Sequence, residues 1–333
     1  MTAALLQVED LRVDFRQGGR VVRAVDSLSY QADKARTLAL IGESGSGKTV
    51  SARAIMALLP DTAHVSGAIR FDGQELVGLP ERRMRALRGS QIAMVFQDPA
   101  RSLNPTLRIG AQITEAIHMH RNVSKAEAHD RAVELMELVR LPAARERVRQ
   151  YPHQLSGGMR QRVMIAIALA GDPRLLIADE ATTALDVTTQ AQIMELLRDL
   201  QQRLGMALIM ISHDLGLAAS YADEVLVMYA GRAVERAATR TLFGQVRMPY
   251  TRALLGAIPR LENPPHTTLM AVPGQPPDLA SQPPGCPFAP RCPDVTEKCR
   301  EVAPPLAEQE PGHLWACWHP CGVEDPERVE VSA

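Results

Sequence analysis

Aromatic side chains are scarce. Phe, Tyr and Trp together make 4% of the 333 residues, few for a surface that stacks single-stranded nucleic acid. An excess of charge is also missing: 37 Lys and Arg stand against 38 Asp and Glu, for a formal net charge of −1. A global polycationic footprint for nucleic acid is thereby excluded, though a local basic patch is not. No long hydrophobic run exists. The most apolar stretch, "VMIAIALAG" from Val163 to Gly171, falls far short of the roughly 20 residues of a membrane-spanning helix. The opening "MTAALLQVEDLRVDF" meets acidic residues too early for a secretory signal. These absences predict a soluble, cytoplasmic chain, still free to sit on a membrane protein. Cysteine is absent from the first 285 residues, and all five lie from Cys286 to Cys321.

What remains is ordinary globular material, 46% hydrophobic and 23% charged, long enough for two or three domains. "RTLALIG" reads as a buried strand over Thr37–Ile41, and "KTVSARAIMALL" as the helix after it, closed by Pro60 and Asp61. "SGAIRFDGQEL" predicts a hairpin turning at Asp72-Gly73, and "QIAMVFQ", Gln91 to Gln97, a further buried strand. A helical insert follows from about 98, its second helix opened by Ser124 and Glu127 as a capping box. Strand and helix then alternate again through "RLLIADE", a helix ending at Gly205, "ALIMISH" and "EVLVMYAG". That alternation predicts an α/β fold with a parallel core. After about 250 the composition shifts: 15 of the 24 prolines lie from Pro259 to Pro320. The expected division is a cassette over 1–250, with its helical subdomain at about 98–158, and a loop-rich extension over 251–333.

Two glycine-rich loops more than a hundred residues apart each open a helix. "GESGSGKT", Gly42, Glu43, Ser44, Gly45, Ser46, Gly47, Lys48 and Thr49, follows a strand and fits the phosphate-loop pattern. Its backbone N–H groups would cradle phosphates, Lys48 would reach the β- and γ-phosphates, and Thr49 would offer a hydroxyl to Mg²⁺. "LSGGM" begins with Leu155 and has Ser156 as a good N-cap. Strand ends supply the other candidates. Asp179 would serve the Mg²⁺ side, through water. Glu180 would be the base that polarises an attacking water. His213 and Gln97 would stand at the carboxyl ends of neighbouring strands, where open α/β sheets bind ligands. The bland readings are an acidic helix cap, a structural His and an ordinary Gln.

The order of phosphate loop, Gln97, LSGGM, "LLIADE", "TTALD" and His213 closely resembles an ABC-transporter ATPase, over about residues 5–250. The resemblance implies a P-loop cassette with a RecA-like core, ATP and Mg²⁺ as ligands, and Gln97 on the Mg²⁺ side as well as at the catalytic centre. It also implies that two cassettes pack head to tail, so that Ser156, Gly157 and Gly158 of one close over ATP held by the other. Asp186 would then lie at the dimer interface, and Phe15 would stack on adenine; a core or edge-strand Phe is the alternative. Met159 replaces the Gln of LSGGQ, and Ala181 replaces the Pro after the catalytic Glu. Neither change removes a charged or phosphate-contacting group.

"FQDPARSLNPTLRIGAQITE", "YPHQLSGGMRQRVMIAIALA" and "MPYTRALLGAIPR" are similar to the oligopeptide/dipeptide importer branch. That branch implies a second, distinct ATPase chain, two membrane permeases and an external solute-binding protein, with the ATPases peripheral on the cytoplasmic face of the membrane and no nucleic acid. The segment after Gln97 would receive the permease's coupling helix; packing alone is the bland role for this insert. Importers of nickel, glutathione or another small solute are near relatives. A soluble, non-transport ABC ATPase is the rival from another class, against which stand one cassette and no sustained heptads. A dead-site interaction module is opposed by the intact Lys48, Asp179, Glu180 and His213.

The cysteine spacing, C-x5-C-x6-C-x17-C-x3-C, matches neither ferredoxins nor zinc fingers. Disulfides do not suit a reducing cytosol, so a metal that staples a small proline-rich segment is the better reading. The importer resemblance implies a [4Fe–4S] cluster on Cys286, Cys292, Cys299 and Cys317, with Cys321 spare. Zinc on these cysteines, with His313 or His319, and free thiols remain alternatives.

Overall fold

The computed structural model describes residues 4–17, 19–183, 185–257 and 272–322. Among these residues twelve strands form two sheets. They are β1 (Leu6–Gln17), β2 (Arg20–Ala32), β3 (Thr37–Ile41), β4 (Ala63–Phe71), β5 (Gln74–Glu75), β6 (Ile92–Val95), β7 (Leu175–Asp179), β8 (Ala207–Ser212), β9 (Glu224–Tyr229), β10 (Arg232–Ala238), β11 (Ala307–Glu310) and β12 (His313–Trp315). The smaller sheet is antiparallel in the order β2-β1-β4-β5, and the larger runs β11-β12-β10-β9-β3-β8-β7-β6. Its centre is parallel: β3 lies between β8 and β9, and β7 between β8 and β6.

Side-chain alternation along β3 shows why both faces are covered. Successive residues point to opposite faces of a sheet. Leu38 and Leu40 join the core beneath the antiparallel sheet, with Val8, Val25, Ile177 and Ile209. Ala39 and Ile41 join the core beneath the helices, with Ala178, Met210, Ile165 and Ile193. A strand buried on both sides is continuously apolar, the pattern by which "TLALI" is read. The β4–β5 turn sits at Asp72-Gly73 with φ of 50° and 80°, as a tight hairpin turn requires.

The helical insert folds as expected, with Ser124 and Glu127 closing a reciprocal capping box on the helix Lys125–Leu138. Two expectations shift. The strand before Gln97 ends at Val95, leaving Phe96 partly exposed. The helix after the phosphate loop ends at Ile55, ahead of Pro60, because Ala57 turns to φ 47°.

The chain beyond residue 250 is not detached from the sheet. The β12 strand pairs antiparallel with β10, matching Glu235 to Trp315 and Ala237 to His313, and β11 pairs with β12. Glu235, wholly buried, accepts from the N–H groups of Arg247 (2.7 Å) and Met248 (3.2 Å) and meets His313 Nε2 at 2.9 Å. The two late strands cover an edge of β10 that would otherwise expose unpaired backbone groups.

Candidate nucleotide site

The phosphate loop joins the end of β3 to the helix Lys48–Ile55. Gly47 caps that helix at φ 97° with no side-chain cap, and a Cβ there would stand 2.5 Å from the carbonyl oxygen of Ala24. Only glycine fits both the dihedral and the space. The first N–H groups of the helix are left for an anion. Lys48 is buried, and its ammonium donates to the carbonyls of Gly42 (2.7 Å) and Glu43 (2.8 Å). Burial lowers its pKa, while the carboxylates of Glu180, Asp179 and Glu43 act the other way.

Asp179 ends β7 and receives the Thr49 hydroxyl at 2.8 Å. Burial raises its pKa, partly offset by that hydrogen bond. The residue types fit a hard divalent cation: a hydroxyl and a carboxylate side by side at the foot of the phosphate cradle.

Glu180 is held at φ 46°, unusual for a side chain with a Cβ and a form of strain that collects at functional sites. Its N–H donates to the Ile211 carbonyl on β8 at 3.0 Å. Its Oε2 accepts from Gln97 Nε2 (2.8 Å) and Thr183 Oγ1 (3.2 Å), and Oε1 lies 3.9 Å from His213 Nδ1. The ends of β6, β7 and β8 thus bring together Gln97, Asp179, Glu180 and His213. One cavity is lined by Ser44 to Thr49, Gln97 and Glu180, and an adjoining one by Glu43, Ser44, Glu180 and His213.

The other predicted residues stand elsewhere. Ser156, Gly157 and Gly158 line neither cavity; the Ser156 hydroxyl instead accepts the Met159 N–H at 3.3 Å and caps the helix Gly157–Ala168. Asp186 caps the helix Val187–Leu204 through the N–H and hydroxyl of Thr189, bonds that lower its pKa. Phe15 is half-buried, between Val22 and Ala63 in the antiparallel sheet, and lines neither cavity. Leu279 and Pro276, which border the two cavities, were not anticipated; nothing in a proline-rich tail marks them.

Cys286, Cys292, Cys299 and Cys317 line one small cavity, together with Asp294 and His319. All are free thiols. Burial raises Cys286 and pushes Cys292 up to about 11 and Cys317 up to about 12. Cys321 is occupied differently, its backbone exchanging hydrogen bonds with Arg247. Among the described residues no group of three or more His, Cys, Asp or Glu closes into a metal-holding arrangement. His313, an expected partner for zinc, is corrected: it is wholly buried against Glu235 and absent from the cysteine cavity. His319 does border that cavity and bonds Thr296 Oγ1 at 2.9 Å.

Comparison with known proteins matches the model for the ABC transporter family over residues 25–183 and that for the oligopeptide/dipeptide transporter C-terminal region over 234–299. The oligopeptide transport ATP-binding protein OppD of Salmonella typhimurium is 50% identical over 316 residues, 95% of this chain and 94% of its own. This chain belongs to the ABC transporter ATP-binding family. OppD of Bacillus subtilis is 48% identical over 333 residues, covering 98% of this chain and 93% of its own. The fold of the ABC cassette is also that of a dimeric ATP-binding cassette solved in a post-hydrolysis state with ADP and Pi. That structure has a TM-score of 0.63, 26% identity, and coverage of 71% of this chain and 99% of that one. The ABC transporter match ends at residue 183, just after β7, and the second match begins at residue 234, inside β10. The strand that the extension pairs with therefore belongs to the second matched region. Among the described residues no helix is long and apolar enough to cross a membrane.

Proposed function

We propose that this chain is the ATP-hydrolysing subunit of a membrane importer for oligopeptides or dipeptides, peripheral on the cytoplasmic face. The carrying observation is the convergence of Glu180, Gln97 and His213 on the phosphate loop, in a chain about half identical to oligopeptide transport ATP-binding proteins. Gly42 to Thr49 wrap the phosphates, and Lys48 exchanges its loop carbonyls for phosphate oxygens. Thr49, Asp179 and Gln97 would hold Mg²⁺, which supplies charge neutralisation at the β- and γ-phosphates. Glu180, oriented by Gln97 and Thr183, takes the proton of a water that attacks the γ-phosphorus, and the bond to the ADP oxygen breaks. His213 contacts the γ-phosphate, and Phe15 stacks on the adenine.

Ser156, Gly157 and Gly158 serve the ATP of a second, related ATPase chain, with Asp186 at the junction. That Ser156 lies outside its own chain's nucleotide cavity supports this reading. Closure of the pair passes through the helical insert to two permeases, which receive peptide from an external binding protein. The cassette over 1–250 does this work, and the extension over 251–333 carries a [4Fe–4S] cluster on Cys286, Cys292, Cys299 and Cys317. The donor set supports the last point: Cys286, Cys292, Cys299 and Cys317 share one small cavity, and thiolates are the ligands such a cluster takes.

The test is uptake of labelled peptide by cells lacking the chromosomal copy. Wild-type chain restores ATP-dependent uptake and the Lys48→Ala variant does not; uptake restored equally by both would end the reading. Iron and acid-labile sulfide in protein purified without oxygen test the cluster. Zinc alone, or no metal, would overturn it.

A further inference from the structure

Among the described residues, Glu43 is the phosphate-loop residue whose side chain hydrogen-bonds to the extension. Arg291 donates to it twice, Nη1 to Oε2 at 2.6 Å and Nη2 to Oε1 at 2.9 Å, across 248 positions of sequence. Arg291 is itself 7% exposed. Its remaining donors are used as well: Nε to the Pro273 carbonyl at 2.6 Å and Nη1 to Tyr229 Oη at 3.2 Å. The guanidinium also lies over the rings of Tyr229 and Phe288, and Phe288 packs on Tyr229 and Tyr250. Such a planar, bidentate and stacked cation is rigid in a way a lysine is not. The pair raises the guanidinium pKa further, so its charge is permanent.

The backbone of Glu43 is bound on both sides. Its N–H donates to Tyr250 Oη at 2.9 Å, and its carbonyl accepts Lys48 Nζ at 2.8 Å. The extension therefore fixes the residue whose carbonyl orients the phosphate-binding lysine. Arg291 stands one position before Cys292, in the turn Ala289–Arg291.

We propose that Arg291 is a positioning residue for nucleotide binding: through Glu43 it holds the phosphate loop in its binding form and so sets ATP affinity from the extension. This rests on the phosphate loop being the nucleotide site, and the controls separate the two claims.

The experiment uses the full chain with Arg291→Met, Arg291→Lys, Glu43→Gln and the double variant Arg291→Met/Glu43→Gln, with Lys48→Ala as the control. A fluorescent ATP analogue gives Kd, steady-state hydrolysis gives KM and kcat, and thermal melting reports folding. Arg291→Met and Glu43→Gln are expected each to weaken binding about fivefold to tenfold, the range of a modest coupling between sites. KM rises with Kd, and kcat moves less. The double variant binds no worse than the weaker single, because both break one link. Arg291→Lys recovers part of the affinity. Unchanged Kd in folded Arg291→Met or Glu43→Gln, or additive losses in the double, would overturn the proposal. Should Arg291→Met fail to fold, Glu43→Gln and the Lys variant still decide it. If Lys48→Ala binds the analogue as tightly as wild type, the nucleotide-site reading itself fails.

Discussion

The phosphate loop and the LSGGM loop look alike as sequence, and the fold treats them differently. Both are glycine-rich and both open a helix. In the phosphate loop Gly47 sits at φ 97° against the Ala24 carbonyl, so the backbone itself demands glycine, and no side chain caps the helix. In LSGGM the Ser156 hydroxyl caps the helix from within, and Gly158 is small because Thr189 Cγ2 would stand 2.5 Å from a Cβ. The first loop carries Lys48 and Thr49 and faces Asp179 and Glu180 of its own chain. Ser156 of the second lines neither nucleotide cavity. Under the proposed function the first loop holds the ATP of its own chain, and the second serves ATP held by a partner chain.

That contrast can be broken most sharply at the base. Glu180→Gln should lower ATP turnover by about 10²–10⁴-fold, the usual worth of a general base, with analogue affinity retained and the closed dimer accumulating on size exclusion. Turnover at the wild-type rate would remove Glu180 from the chemistry. Lys48→Ala should next abolish analogue binding at its own site, which a direct titration reads. Ser156→Ala should behave oppositely, leaving its own chain's ATP affinity unchanged. In mixed dimers it should cost the partner's site up to about 100-fold in hydrolysis, as for one lost oxyanion-type donor. Loss confined to the mutant's own site would erase the distinction between the loops. The smallest effect is on the cap: Ser156→Ala should destabilise the isolated chain by about 1 kcal/mol, measured by denaturant titration. A larger loss would mean that Ser156 is mainly structural.

The placement of the candidate residues was legible because they lie at strand ends. "TLALI", "LLIAD" and "ALIMIS" declare themselves as buried strands, and whatever follows each one must emerge at the same edge of a parallel sheet. Gln97, Glu180 and His213 are readable for that reason, as is Thr49 beside Asp179. Two helix ends were equally readable, since Ser124 and Gly205 act on neighbours within a few positions; the capping role of Asp186 was not anticipated. Phe96 was misread because apolarity alone does not say where pairing stops. His313 was misread as a metal candidate because its partner, Glu235, lies 78 positions away.

The extension is where local reading ends. Composition marked it as loop-rich and cysteine-bearing, and the four cysteines that share one cavity are those the family resemblance implied. Nothing local announces that β12 would complete the sheet at β10, that Leu279 and Pro276 would border the nucleotide cavities, or that Arg291 would reach Glu43. By itself the sequence determined the alternation of strands and helices in the parallel core, the caps at Ser124 and Gly205 and the candidate residues that follow β6, β7 and β8, since these follow from periodicity and short-range hydrogen bonding. Only the tertiary structure decided which late residues meet the phosphate loop. Such contacts arise when burial of Phe288, Tyr229 and Tyr250 brings distant segments together, and no short-range pattern encodes that meeting.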